Sequence, residues 1–224
     1  MITAKPILMS APMVLATLRE IEAPGTGKTQ TRRIIKQANL ISGDCTDVVR
    51  PFGDGTYFMC AADGTHMNGQ FSCPYGKPGD LLYVRETYAE VGTCDPGWLL
   101  YRASGYENEC RRHRFDQCPD ESAMKWTPSI HMPRWASRLT LEITDIRIER
   151  LQDISEADAR AEGILICEWE KDDGDGPDSL TQCFSWLWES LNGPDSWAAN
   201  PWVWVVEFRP HLINVDQFIE ARAA

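Results

Sequence analysis

The run Gly27-Lys28-Thr29-Gln30-Thr31-Arg32-Arg33 gathers a primary amine, three polar side chains and two guanidinium groups into seven residues. Amines and guanidinium forks in one short segment suit an anionic or strongly polar ligand. Phosphate binding is one such chemistry, because Pro24-Gly25-Thr26-Gly27-Lys28-Thr29 matches the end of the phosphate-loop pattern G-x-x-x-x-G-K-[ST]. Glu22 stands where that pattern needs its first glycine, and a carboxylate there opposes phosphate. The loop also has to follow a buried strand, whereas the residues ahead of it read as a helix. Ser10 or Ala11 sits near its cap, Pro12 lies in its first turn, and Val14, Leu15 and Leu18 recur at helical spacing. Nucleotide triphosphate chemistry is therefore not expected.

The elements that must hold these groups belong to a folded chain of 224 residues, 43% hydrophobic and with nine tryptophans, enough for one generous domain or two small ones. No apolar run approaches the length of a membrane span, and a short N-terminal stretch interrupted by Pro6, Ser10 and Pro12 does not read as a secretory signal. A cytoplasmic location is the expectation. The eight cysteines form no Cys-x-x-Cys pair and read as free thiols. Cys94, Cys110, His113 and Cys118 match no common zinc spacing, so no metal and no cofactor are expected. A net charge of −11 disfavours a long nucleic-acid groove, although positive charge concentrates at Lys28, Arg32, Arg33 and Lys36, at Arg111, Arg112 and Arg114, and at Arg134 and Arg138. A site of nucleotide size fits this distribution better.

Strands are predicted from Thr31 to Ile35, Thr56 to Ala61, Asp80 to Tyr88 after the turn at Gly76-Lys77-Pro78-Gly79, Trp98 to Arg102, Arg138 to Arg150 and Trp202 to Phe208. Trp202 and Trp204 share one strand face and read as core. Helices are predicted from a capping-box start at Ser155 to Gly163, which puts Glu162 in the last turn, and from Leu180 to Leu191 with Phe184, Leu187 and Leu191 as the core face. A carboxylate in a last turn opposes the helix dipole unless a cation sits beside it. Segments 39–72 and 92–124 read as insertions, 168–178 as a solvent-facing acidic loop, and 210–224 as a tail with a short helix. Short strands with few helices predict an α+β chain built on a small mixed β-barrel.

Several blocks together carry a family resemblance: Gly27 to Arg33; Pro78-Gly79-Asp80-Leu81-Leu82-Tyr83-Val84-Arg85-Glu86; Gln152 to Ile164; Ser129-Ile130-His131-Met132-Pro133-Arg134-Trp135-Ala136-Ser137-Arg138; and Asn200-Pro201-Trp202-Val203-Trp204-Val205. In order, from about Lys5 to Phe208, they resemble ASCH-domain proteins, more closely the longer ones of bacteriophages and prophages. The resemblance implies a PUA-like barrel spanning residues 1–209 as a single domain, and a modified nucleoside or RNA as partner. It also implies an amidohydrolase that deacylates N4-acetylcytidine or a related base, with Lys28, Thr31 and Glu162 as catalytic residues and Arg33, Arg85, Glu86, Arg134 and Trp135 contacting substrate. Amide hydrolysis needs a nucleophile, a base, an oxyanion donor and an acid for the leaving amine, and an amine, a hydroxyl and a carboxylate are suitable groups. Lys28 and Thr31 are three residues apart, so on an ideal strand they face opposite sides and meet only across a bend near Gly27. Two further readings stay open: a noncatalytic module that binds RNA or a modified nucleotide, and a ribonuclease. Outside the resemblance, Lys28 reads as a surface lysine, Thr31 as a strand residue and Glu162 as an exposed helix residue beside an arginine.

Overall fold

A computed structural model describes residues 3–35, 48–51, 56–60, 66–92, 97–115, 118, 120–165 and 176–223. Its elements in chain order are β1 (Ala4–Leu8), α1 (Ala11–Glu22), β2 (Gln30–Ile34), β3 (Val48–Pro51), β4 (Thr56–Cys60), β5 (His66–Ser72), β6 (Leu81–Arg85), β7 (Tyr88–Val91), β8 (Trp98–Tyr101), α2 (Tyr106–His113), β9 (Thr140–Arg150), α3 (Glu156–Ala161), α4 (Leu180–Asn192), β10 (Trp202–His211) and α5 (Val215–Ala223). The chain is α+β, and among the described residues the strands close no barrel. Contacts divide it into two compact units, residues 1–27, 81–142 and 210–224 in the first, and residues 28–80 and 143–209 in the second. Strands β9 and β10 contribute residues to both.

In the first unit β1 runs parallel to β6, and β6 pairs antiparallel with the start of β9 through Leu82↔Leu141. Strand β1 carries Pro6, which an edge strand tolerates because the missing N–H costs no ladder bond there. Helix α1 opens with Ser10 as N-cap and a proline in its first turn, and buries Val14, Ala16 and Thr17. Leu15, expected on its apolar face, is 46% exposed. Strands β7 and β8 form a hairpin over a core of Tyr88, Tyr101, Met132 and Ala136. Segment 92–124 thus supplies β8 and α2 to this unit. The C-terminal segment is tied into it as well, since Asn214 donates to the carbonyls of Arg134, Trp135 and Ser137, and Arg222 pairs with Glu142 at 2.7 Å.

In the second unit β2 pairs antiparallel with β10 in an unbroken register from Ile34↔Val203 to Gln30↔Glu207. Strands β3, β4 and β5 form a separate three-stranded sheet within segment 39–72. Helices α3 and α4 pack against β10 in a core of Leu151, Ile154, Ala159, Ile164, Cys183, Phe184, Trp188, Val203 and Val205. The buried face of α4 is Leu180, Cys183, Phe184 and Trp188, and Leu191 is 50% exposed, which corrects its assignment to the core. Trp204 is fully buried with Tyr57 and Phe71 against it, whereas Trp202 is only partly buried, with the Arg150 guanidinium 4.3 Å from its ring centre. No helix among the described residues is long and apolar enough to cross a membrane.

Candidate functional site

The turn leading to Lys28 is shaped by Glu20. Its carboxylate accepts the backbone N–H of Gly25 at 2.9 and 3.0 Å and that of Gly27 at 2.9 Å. The N–H groups that a phosphate loop would offer to phosphate are therefore bonded to a carboxylate of the chain itself. Glycine is required at position 27 because a Cβ there would lie 2.3 Å from the Ala16 carbonyl oxygen and from the Glu20 nitrogen.

Beyond that turn, Lys28 is held by an isolated antiparallel bridge to Glu162, and the Thr29 N–H donates to Ala161 at 2.8 Å. Helix α3 ends at this point. Its start is fixed by a capping box between Ser155 and Asp158, and Glu162 is its C-cap. The Lys28 ammonium donates to the Glu162 carbonyl at 2.9 Å and to its Oε2 at 2.5 Å, and both side chains are almost completely buried. An ammonium suits the negative end of a helix. Burial lowers the Lys28 pKa below that of an ordinary lysine, Glu162 opposes the shift, and Arg33 and Arg32 add to it. Far from being a surface lysine and an exposed helix acid, Lys28 and Glu162 form a buried ion pair.

Three residues at alternate positions, Lys28, Gln30 and Arg32, enter one polar network. Arg32 reaches Glu162 Oε1 at 3.5 Å, Glu149 at 3.0 Å and Asp158 at 3.5 Å, with its guanidinium 6.0 Å from the Phe184 ring centre. Arg147 contacts Glu149 at 2.5 Å, Asp158 at 2.8 Å, Glu207, and the side-chain oxygen of Gln30 at 3.2 Å. Burial alone would raise the Asp158 pKa, but Ser155, Arg32 and Arg147 outweigh it and hold that carboxyl below its usual range. For Arg147 too, Glu149, Glu207 and Asp158 outweigh burial and keep the guanidinium charged. Thr31 occupies the intervening position, opposite Val206, and is fully buried.

The network is incompletely satisfied. Gln30 Nε2, Thr31 Oγ1, Arg32 Nε and Nη1, and Glu162 Oε1 are all buried without a hydrogen-bond partner. Unpaired buried polar atoms cost about 1–3 kcal/mol each, so such a concentration calls for a functional explanation. Among these residues Gln30 and Arg32 belong to the conspicuous sequence cluster without having been singled out as site residues. Arg147, Glu149, Asp158 and Glu207 were not anticipated. The available signal was the alternation of Arg147 and Glu149 along β9 and, separately, of Lys28, Gln30 and Arg32 at and before β2.

The other sequence-derived site residues are distributed differently. Arg33 lies in β2 opposite Trp204, in the second unit with Lys28, Thr31 and Glu162. Arg85, Glu86, Arg134 and Trp135 belong to the first unit. Arg85 donates to the Ile130 carbonyl. Arg134 forms a forked pair with Asp216 at 2.6 and 3.0 Å. Glu86 is buried and takes both arms of Arg138 at 2.8 and 2.9 Å; its pKa is raised by burial, against the pull of Arg138. Arg138 also reaches Ser104 at 2.8 Å and Glu109 at 3.6 Å and stacks on Tyr101 with 4.1 Å to the ring centre, while Arg112 holds Glu109 at 2.6 Å. A 530 Å³ cavity opens over this cluster, with the exposed Trp135 among its lining residues.

Of the cysteine and histidine group considered for zinc, Cys94 lies outside the described residues; His113 packs against Trp98 and Phe115. No group of three His, Cys, Asp or Glu side chains among the described residues is placed to hold a metal. Comparisons with protein-family models, with curated proteins and with solved structures returned no match.

Proposed function

We propose that the second unit carries a cytosine-directed acyl-amide hydrolase site of the ASCH type, on a PUA-like framework, acting on N4-acetylcytidine or a related acylated base. The observation that carries this reading is the Lys28–Glu162 pair: a fully buried amine, its pKa lowered, bonded at 2.5 Å to a carboxylate whose other oxygen has no hydrogen-bond partner. A lysine that loses its proton readily in a desolvated site is a competent general base.

In this mechanism the attacking oxygen is the Thr31 hydroxyl, buried and without a hydrogen-bond partner, or a water held by it. Its proton passes to neutral Lys28 as the oxygen adds to the acyl carbon. Arg32, 3.5 Å from Glu162 Oε1 and with Nε and Nη1 not engaged in hydrogen bonds, offers N–H groups to the developing oxyanion. When the bond between N4 and the acyl carbon breaks, the proton held by the lysine and glutamate pair is delivered to N4. Water then releases any acyl group left on threonine, so the net products are cytidine and a carboxylic acid. The alternation of strand residues makes the Thr31 route depend on the chain direction at Lys28, which is set by its bridge to Glu162 rather than by β10.

The experiment is incubation with N4-acetylcytidine and chromatography for cytidine, with Lys28→Ala, Thr31→Ala and Glu162→Gln alongside. Release by the parent protein and loss in the variants is the expected result. No release at high protein concentration would refute the hydrolase reading and leave the network as a structural clamp, which the near-complete burial of its residues favours.

A further inference from the structure

The geometry points to Gln30 as the residue that reads the ring edge of the base in this site, with Arg147 as its positioning residue, an inference that rests on the cytosine-directed reading above. Gln30 is 2% exposed. An amide side chain offers an acceptor oxygen and a donor nitrogen, and which one faces a neighbour is decided by that neighbour's chemistry. Here the neighbour is the Arg147 guanidinium, which has only donors, so Gln30 must turn its Oε1 toward it, at 3.2 Å. Arg147 is itself pinned by Glu149, Asp158 and Glu207. Gln30 Nε2 is thereby fixed as a buried donor, and it has no hydrogen-bond partner.

The second recognition atom is Glu162 Oε1, a buried acceptor without a hydrogen bond, linked to the same network through Arg32 at 3.5 Å. A fixed donor together with a carboxylate acceptor selects a ligand edge with an acceptor followed by an N–H donor. Cytosine and its N4-acyl derivatives present that order, with acceptors at O2 and N3 beside the N4–H. In the register that brings the position-4 substituent to the Lys28–Glu162 pair, uracil reverses it, with an N–H at position 3 and an oxygen at position 4. In this site the reversal would set donor against donor and oxygen against carboxylate. A site built to bond a specific polar edge rejects the reversed edge because its buried groups are left unpaired.

Two measurements test this. In the first, the side-chain amide signals of ¹⁵N-labelled protein are followed by NMR while cytidine or uridine is added, the Gln30 signal being assigned by its disappearance in Gln30→Leu or Gln30→Asn. Cytidine should shift that signal and uridine should not. In the second, hydrolysis of N4-acetylcytidine is measured for Gln30→Leu, Gln30→Glu, Arg147→Lys and Arg147→Met. Losing one recognition hydrogen bond should raise KM about tenfold with a smaller change in kcat. Gln30→Glu should lose more, because it opposes an acceptor to an acceptor. Arg147→Lys, which keeps a donor on Gln30, should retain more activity than Arg147→Met. Equal hydrolysis by the parent and Gln30→Leu would overturn the role of Gln30 and leave the hydrolase reading standing. A cytidine-specific shift of the Gln30 signal without any hydrolysis would do the reverse. Neither shift nor hydrolysis would overturn both.

Discussion

Each unit of this protein buries a network of arginines and carboxylates, and the two differ in completeness. In the first unit Arg138 divides its donors among Glu86, Ser104 and Glu109, Arg112 closes the other side of Glu109, and Tyr101 lies against both guanidinium groups. None of these side chains has a buried polar atom without a hydrogen-bond partner. In the second unit Lys28, Gln30, Arg32 and Glu162 are more deeply buried than Arg112 and Arg138, yet three of the four retain atoms without a hydrogen-bond partner. A closed network is explained by stability and specificity of packing. An open one carries a cost, and under the proposed function the ligand supplies the missing partners.

The largest expected effect is on the closed network. Arg138→Met strands the Glu86 carboxylate, Glu109 keeping Arg112, and breaking a buried pair by removing one partner costs about 3–5 kcal/mol. Chemical denaturation should show that loss, while hydrolysis per folded molecule changes little. Lys28→Met should behave in the opposite way. Glu162 keeps Arg32 at 3.5 Å and the new side chain is apolar and of similar length, so the loss of stability should be about 1–3 kcal/mol. Removal of a general base should lower turnover by about 10² to 10⁴. If Lys28→Met unfolds the protein while Arg138→Met leaves stability unchanged, the assignment of roles to the two networks is reversed.

Titration sharpens the contrast, because the pKa shifts have opposite sign. Burial raises the Glu86 pKa, so the folded state binds its proton more tightly than the unfolded one. Its contribution is fully present below the ordinary carboxylate value and is lost as pH rises through the raised value. Burial lowers the Lys28 pKa, so above the lowered value the unfolded chain holds a proton that the folded one has released. That contribution grows with pH up to the ordinary lysine value of 10.5 and is lost as pH falls through the lowered one. Denaturation across pH should therefore lose the alkaline rise in Lys28→Met and the fall above the carboxylate range in Glu86→Gln. Hydrolysis should increase with pH as Lys28 becomes neutral. In Glu162→Gln, which removes the charge that opposes the shift, any residual activity should have its midpoint at lower pH. A midpoint unmoved by Glu162→Gln would remove Lys28 as the base.

Much of the framework was legible because local chemistry and periodicity agreed. The capping box at Ser155, the alternation along β9 and the aromatic, β-branched run of β10 each mark their element without tertiary information. Helix α2 has no clear apolar periodicity because its inward face includes Glu109, an acid that breaks the pattern and is accommodated by Arg112 and Arg138. Strand β1 was hidden by Lys5-Pro6, which an edge position tolerates. Leu191 fits the helical spacing of α4, but the buried face follows Trp188 and Leu180 instead. At the site, Lys28 and Glu162 were reached through family resemblance, across a separation of 134 residues. Gln30 and Arg147 were not, because their meeting depends on the relative placement of β2 and β9, which neither strand's own pattern encodes.

The smallest expected effect concerns Arg134, which the family resemblance places with Trp135 among the substrate contacts. The structure gives Arg134 a forked contact with Asp216, but the two side chains are 37% and 53% exposed. Water and salt screen such a pair, so Arg134→Ala should cost no more than about 1 kcal/mol, and the difference should fade when denaturation is repeated in high salt. Hydrolysis of a free nucleoside should be unchanged, since the proposed reacting groups all belong to the second unit. RNA binding is the discriminating readout. If Arg134→Ala weakens RNA binding about tenfold while nucleoside hydrolysis is intact, the first unit acts as a polymer-binding surface as well as a closed structural network. If neither changes, Arg134 serves only to tie α5 to the turn that carries Trp135, and the difference between the units is one between scaffold and chemistry.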